Sequence, residues 1–203
     1  MIEIAQKVAA EFTTEFVQHP YLCYTEHGQH AYFYQLLFNA IPEENRFTQF
    51  QGRRLCVVQK EYPTPTDLGK SQRQHWDVSI IKSPAETISP NSTPYDFLRL
   101  DVIVEFGMNA EPGHLAEDIR RMTHETANVD NRIAIHFYRI GEAADRLSRR
   151  DIARKSSSLL TYDQCTELIG NAPVELFYAV ADPSGSSEAW HYRNGASTSL
   201  LDA

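Results

Sequence analysis

Arg73-Gln-His-Trp-Asp77-Val-Ser-Ile-Ile81 and, after a Pro- and Ser-rich gap, Leu98-Arg-Leu-Asp-Val-Ile-Val-Glu105-Phe-Gly-Met-Asn109 form the apolar centre of the sequence. Each reads as a β-strand that carries one carboxylate among apolar residues. Val78, Ile80 and Ile81 follow Asp77, and Val102, Ile103, Val104 and Phe106 surround Glu105. A carboxylate in an apolar strand is costly to bury unless it meets a cation or a hydrogen-bond donor. Two of them on successive strands suggest a shared partner, most simply a divalent metal ion. Structural ion pairs are the alternative: Arg73 or His75 for Asp77, and Arg99 or Arg132 for Glu105. Asp101 shares strand parity with Glu105 but sits at the strand's start, where a carboxylate is solvated.

Working outward, Ile2, Ile4, Val8, Phe12, Phe16 and Val17 recur mostly at three- and four-residue spacing, so residues 2–18 form an amphipathic helix ended by His19-Pro20. Tyr21 to Ile41 reads as a second helix with Thr25 as its cap and Glu26 in the first turn, where a carboxylate also complements the helix dipole. Arg54 to Lys60 reads as one short strand. Beyond Glu105, Gly107 to Gly113 makes a turn. His114 to His124 reads as a helix with Leu115, Ile119 and Met122 on one face. Asn131 to Ile140 is a strand with Ile133, Ile135 and Phe137 at period two. Gly141 to Ser158 is polar and helical in part, Thr161 to Ile169 is a short helix, and Val174 to Ala181 is a strand. Residues 182–203, rich in Gly, Ser and Asn and broken by Trp190-His-Tyr192, read as a flexible C-terminal tail. Three strands in succession, then a helix and a further strand, point to one α/β domain over residues 1–181, an α/β sandwich with a mixed central sheet.

Composition narrows the function classes. The 203 residues carry 27 acidic and 19 basic side chains, a formal net charge of −8 that opposes nucleic acid at long range without excluding a local basic groove. The one basic cluster, Arg146 to Lys155, reads as a solvated face. Cys23, Cys56 and Cys165 are too few and too scattered for a disulfide frame or a zinc knuckle and read as reduced thiols. The N-terminus lacks a secretory pattern, and no apolar run approaches the ~20 residues of a membrane span. The expectation is a cytoplasmic protein without membrane contact.

With the elements in order, Glu26, Asp77 and Glu105 resemble the PD-(D/E)xK nuclease superfamily, whose restriction-endonuclease-like core runs helix, three strands, helix, strand. Glu26 occupies the helix position, Asp77 the second-strand position and Glu105 the third. Gln59-Lys-Glu-Tyr-Pro-Thr64 and Arg73-x-x-x-Asp77 look like that family's approach to the aspartate. The likeness covers roughly residues 21–140. It implies hydrolysis of phosphodiesters, with Asp77 and Glu105 giving oxygen ligands to Mg²⁺ or Mn²⁺ and Glu26 doing so directly or through water. It also implies a lysine two residues past the glutamate, on the same strand face, to orient the water or stabilise the transition state. Here that position is Gly107. Either a basic or polar residue reaches the same point from elsewhere (Lys60 first, otherwise Arg120, Arg121 or Gln59), or catalysis is lost. Lys82, five residues past Asp77, aims at the opposite face. The expected catalytic set is therefore Glu26, Asp77, Glu105 and Lys60. The alternative is a non-catalytic domain on the same scaffold that binds a protein or nucleic-acid partner, as an oligomer.

Other chemistries fit less well. His27 and His30, three apart on a helix, could share a metal, but no H-E-x-x-H arrangement or neighbouring cysteine supports it, and they read as ordinary helix residues. His75 lies on the strand face of Asp77 and reads as a strand-end polar residue. No Gly-rich phosphate loop and no G-x-S-x-G elbow is present. The ten Tyr and ten Phe read as core rather than as base-stacking platforms.

Overall fold

The structure is a computed structural model and describes residues 1–64, 74–87, 98–140, 160–182 and 187–201. The periodicity of the first forty residues produces two helices. Helix α1 (Ile2–Gln18) buries Ala5, Val8, Ala9, Phe12 and Phe16 along one face. Helix α2 (Glu26–Ala40) starts where the Thr25 hydroxyl accepts the Gly28 N–H, satisfying a donor that the first turn leaves open. Tyr21 to Tyr24 stay outside the helix, so the sequence expectation placed its start too early; the cap sets the boundary.

The single strand expected over Arg54 to Lys60 is two. A hairpin of β1 (Phe47–Phe50) and β2 (Arg53–Cys56) turns at Gln51 and Gly52, both at positive φ. The chain then changes sheet at Val57, whose N–H is taken by Arg46 O, and continues as β3 (Val58–Pro63). Cys56, Val57 and Val58 are uniformly apolar, so nothing in their side chains marks the break.

Strands β4 (His75–Ile81), β5 (Leu100–Met108), β6 (Val129–Arg139), β7 (Glu175–Ala181), β8 (Glu188–Arg193) and β9 (Ala196–Ser199) join β3 in a seven-stranded sheet in sequential order. The β3–β4–β5 part is an antiparallel meander. Helix α3 (Pro112–Met122) then returns the chain so that β6 lies parallel to β5, and β7 lies parallel to β6 with α4 (Tyr162–Ile169) preceding it. Helices α1 and α2 pack with Val78, Val104, Phe106, Ile135 and Phe137 on one face. Residues of α3 and α4 pack with Ile103, Ala134, Tyr138 and Tyr178 on the other. The central strands are covered on both sides, which is why they read as unbroken apolar runs. The expected mixed sheet with helices on both faces is therefore observed.

Residues 188–199 correct the expectation of a loose tail. They form β8 and β9, joined by Asn194-Gly195 with both residues at positive φ, as a two-residue hairpin requires. Ala189 and Tyr192 are buried there. The basic run Arg146 to Lys155, the part-helix expected over 141–158 and Arg73 lie outside the described residues. Cys23, Cys56 and Cys165 are free thiols. No helix among the described residues is long and apolar enough to cross a membrane.

Candidate functional site

Strand register builds the centre of the site. Lys60 pairs with Val78 and Tyr62 with Trp76, which sets Glu61 opposite Asp77. Val78 pairs with Val104, so one step further Asp77 faces Glu105. Three carboxylates thus stand in one row across β3, β4 and β5. Glu61 takes φ 53, a left-handed conformation that a non-glycine residue adopts at a cost, and it does so inside a strand.

Asp77 occupies the point where β4 and β5 stop exchanging ladder bonds. Its Oδ2 accepts the Phe106 N–H at 2.9 Å, replacing the main-chain partner that β4 no longer offers. Trp76 belongs to the core on the α3 side and Val78 to the core on the α2 side, so the strand's alternation breaks at Asp77. The carboxyl group links the two faces: it is in hydrogen-bond contact with Glu105, and Oδ2 lies 3.6 Å from His30 Nε2. Burial raises its pKa to about 6, against the Phe106 N–H that favours the charge, with Glu26 and Glu61 adding like charge. Glu105, fully buried, is raised well above the usual carboxylate range by burial and then by the Asp77 charge, with Arg121 opposing. One proton shared across such a pair is the expected resting state of two crowded carboxyls.

The α2 face carries the exposed part of the site. Glu26 Oε2 accepts the Met108 N–H at 2.9 Å, two residues along β5 from Phe106. His30 is 1% exposed, and among the described residues neither ring nitrogen has a hydrogen-bond partner. Burial, then Lys60 and His27, push its pKa down to about 3, so the ring is neutral near pH 7. Lys60 Nζ lies 3.9 Å from Glu61 Oε1 and stays partly exposed. Lys60 therefore stands beside Glu61, the β3 member of the row.

The α3 face is closed. Arg121 Nη2 donates to Glu105 Oε1 at 2.6 Å and to His75 O at 3.1 Å, and the guanidinium lies over Trp76, 5.3 Å from the ring centroid. Arg121 Nη1 is 3.6 Å from Asp118 Oδ1, and Asp118 Oδ2 is 3.2 Å from His136 Nε2. His136 explains Gly107. The two residues pair across β5 and β6, and a Cβ at Gly107 would lie 3.0 Å from His136 Cγ and nearer still to Cε1 and Nδ1. No side chain, lysine included, fits at that position while the ring is there.

The remaining candidates separate from the site. Arg99 and Lys82 both pair with Asp130, and Arg132 donates to Met122 O, so neither arginine is the partner of Glu105. Asp101 accepts from Asn131 and faces the N-terminal amine at 3.7 Å. Gln59 donates to Cys56 O, and Arg120 forms an i,i+3 pair with Glu117. His75 contributes its carbonyl, and its ring is not among the contacts of Asp77. Glu61, His30 and the Asp118–His136 pair were missed as site residues. Glu61 stood inside the quoted Gln59-to-Thr64 segment, and its register relative to Asp77 was the signal. Tyr21 and Tyr24 depart from the expectation that aromatics fill the core: they are 39% and 73% exposed, their rings lie 6.4 Å apart, and Arg139 sits within 5.4 Å of both. No protein-family profile, curated protein or solved structure matches this chain.

Proposed function

We propose that the protein is a divergent metal-dependent phosphodiesterase of restriction-endonuclease-like fold that acts on nucleic acid. The observation that carries the reading is the Asp77–Glu105 carboxyl contact at the end of the β4–β5 ladder, with Glu26 and Lys60 gathered on the same α2 face. The meander, the α3 connection and the parallel β6 support this reading of the fold. The Asp77 and Glu105 carboxyls meet and offer hard oxygen ligands, and burial already penalises their charges. Such an ion, when bound, supplies Lewis acidity and a water of lowered pKa. Asp77 and Glu105 would hold it, with Glu26 at its edge. Lys60 places an ammonium beside the row, where a phosphodiester would develop negative charge. Tyr21, Tyr24 and Arg139, just ahead of Glu26, offer a stacking surface and a cation for a nucleic-acid strand.

A second reading, a non-catalytic domain on the same scaffold that binds a partner, draws on Arg121. That guanidinium neutralises Glu105 from the closed face, and the His136 ring takes the place of the usual lysine. Cleavage assays separate the two. The untagged chain is expected to cut single- or double-stranded DNA or RNA only with Mg²⁺ or Mn²⁺ present. Asp77→Asn and Lys60→Met are expected to lower the rate by about 10²-fold or more. A parent protein that cuts none of these substrates with either ion sinks the enzymatic reading and leaves the scaffold one.

A further inference from the structure

The α2 side of the site holds a second group of donors that the phosphodiesterase reading does not use. His27 and His30 lie one turn apart on α2, and one donor atom from each falls with a Glu61 carboxyl oxygen inside a sphere of mutual distances no greater than 4.8 Å. His30 Nδ1 is 3.8 Å from Glu61 Oε1, and His30 Nε2 is 3.6 Å from Asp77 Oδ2. Both distances are too long for hydrogen bonds. The first suits two ligands of one ion, since donors about 2.1 Å from a tetrahedral centre stand about 3.4 Å apart.

His30 is the independent sign. A buried imidazole with no hydrogen bond at either nitrogen leaves polar atoms unsatisfied, which folded proteins avoid. An ion on Nδ1 satisfies one of them. The Nε2–H then points at Asp77, the carboxylate that commonly orients a metal-bound histidine from behind. Glu61 is brought toward this point by a strained backbone, so its direction is specified rather than incidental. His27 is exposed and leaves the fourth position open to water. The nearest competing cation is Lys60, whose partly exposed ammonium can swing to solvent.

We infer that His27, His30 and Glu61 form a binding site for a first-row transition dication of the Zn²⁺ class, with Asp77 as the outer partner of His30. Two imidazoles and one carboxylate select such an ion over Mg²⁺, which prefers all-oxygen ligands. The inference does not depend on phosphodiester cleavage.

Co²⁺ is the probe. Titrated into the untagged, full-length protein, one equivalent is expected to give the visible d–d absorption of an imidazole-bound site, displaced by Zn²⁺ and not by Mg²⁺. His27→Ala changes an exposed residue and is expected to fold as the parent by circular dichroism. It should weaken Co²⁺ binding by at least about tenfold and alter the spectrum. Asp77→Asn keeps an oxygen acceptor for His30 and should retain the spectrum at saturating Co²⁺ while losing any cleavage activity. No d–d bands in the parent, or unchanged binding and bands in His27→Ala, would overturn the inference. Loss of the bands in Asp77→Asn would overturn it too, by moving the ion to the Asp77–Glu105 pair.

Discussion

Asp77 and Glu105 touch each other, and burial disfavours the charge of both. Among the described residues, Asp77 has like charges around it, and the basic side chain beside it is the neutral, buried His30. Its folded pKa of about 6 lies above the ordinary carboxylate value near 3.8. A raised carboxyl binds its proton more tightly when folded, so ionised Asp77 costs stability at every pH above about 6, and that cost fades as pH falls toward 3.8. Asp77→Asn, which keeps an acceptor for the Phe106 N–H, should therefore stabilise the metal-free protein by up to about 3 kcal/mol at pH 7. The gain should vanish near pH 4, read as the difference in Tm between the two proteins in EDTA. Burial and the Asp77 charge already disfavour ionised Glu105, and in Glu105→Gln an amide oxygen still accepts from Arg121 with Asp118 3.6 Å away, so that variant should cost far less than the loss of a full buried ion pair. A loss of about 3 kcal/mol or more in Glu105→Gln would show instead that an ionised Glu105–Arg121 pair holds the fold. Both acids were legible in the sequence because a charge inside an apolar strand stands out by itself. Glu61 and His30 were not: Glu61 belongs to the site only through cross-strand register, and His30 only through the packing of α2 on the sheet.

Pairing between strands also decides what Gly107 means. In the sequence, a glycine two residues past Glu105 looked like the loss of a lysine. In the sheet, β5 and β6 run parallel with Gly107 beside His136, and the ring, held by Asp118, covers the glycine. A lysine at that position therefore cannot be accommodated by substitution of the glycine alone. Gly107→Ala should cost about 1–3 kcal/mol through overpacking. In a His136→Ala background most of that cost should disappear, giving a coupling energy well above experimental error in a urea double-mutant cycle. Additive costs would show that the glycine is required for its backbone instead. Elements with strong periodicity, such as α1, β5, β6 and β7, were readable from side chains because each buries whole faces. The β2–β3 break was not, because a change of sheet is made by the main-chain partners of Val57 and leaves no mark in side-chain chemistry.

At the scale of the whole molecule, the C-terminal hairpin is where sequence and structure differ most. Low hydrophobicity and many small polar residues made residues 182–203 look unstructured. The Asn194-Gly195 turn is the signal that outweighs composition, and Ala189 and Tyr192, three apart on β8, are buried in the cores on opposite faces of the sheet. In the folded protein, β8 covers the edge of β7, and α1 and α4 both pack against it. The Glu175 carboxylate fixes the same corner, accepting from Gln6 on α1 and pairing with His191 and Arg193 on β8. A flexible tail can be removed without cost, whereas this hairpin cannot. A chain ending at Ala181 loses the burial of Tyr192, worth about 2 kcal/mol for one large side chain, together with part of the cover over α4. It also exposes β7 as an open edge, a template for pairing between copies. The truncated protein is expected to unfold at clearly lower urea concentration than the full chain, by more than about 3 kcal/mol, and to run as aggregate in size-exclusion chromatography. A truncated protein that is monomeric and as stable as the parent would show that the sheet is complete at β7, and that the hairpin is an ornament on a core closed without it.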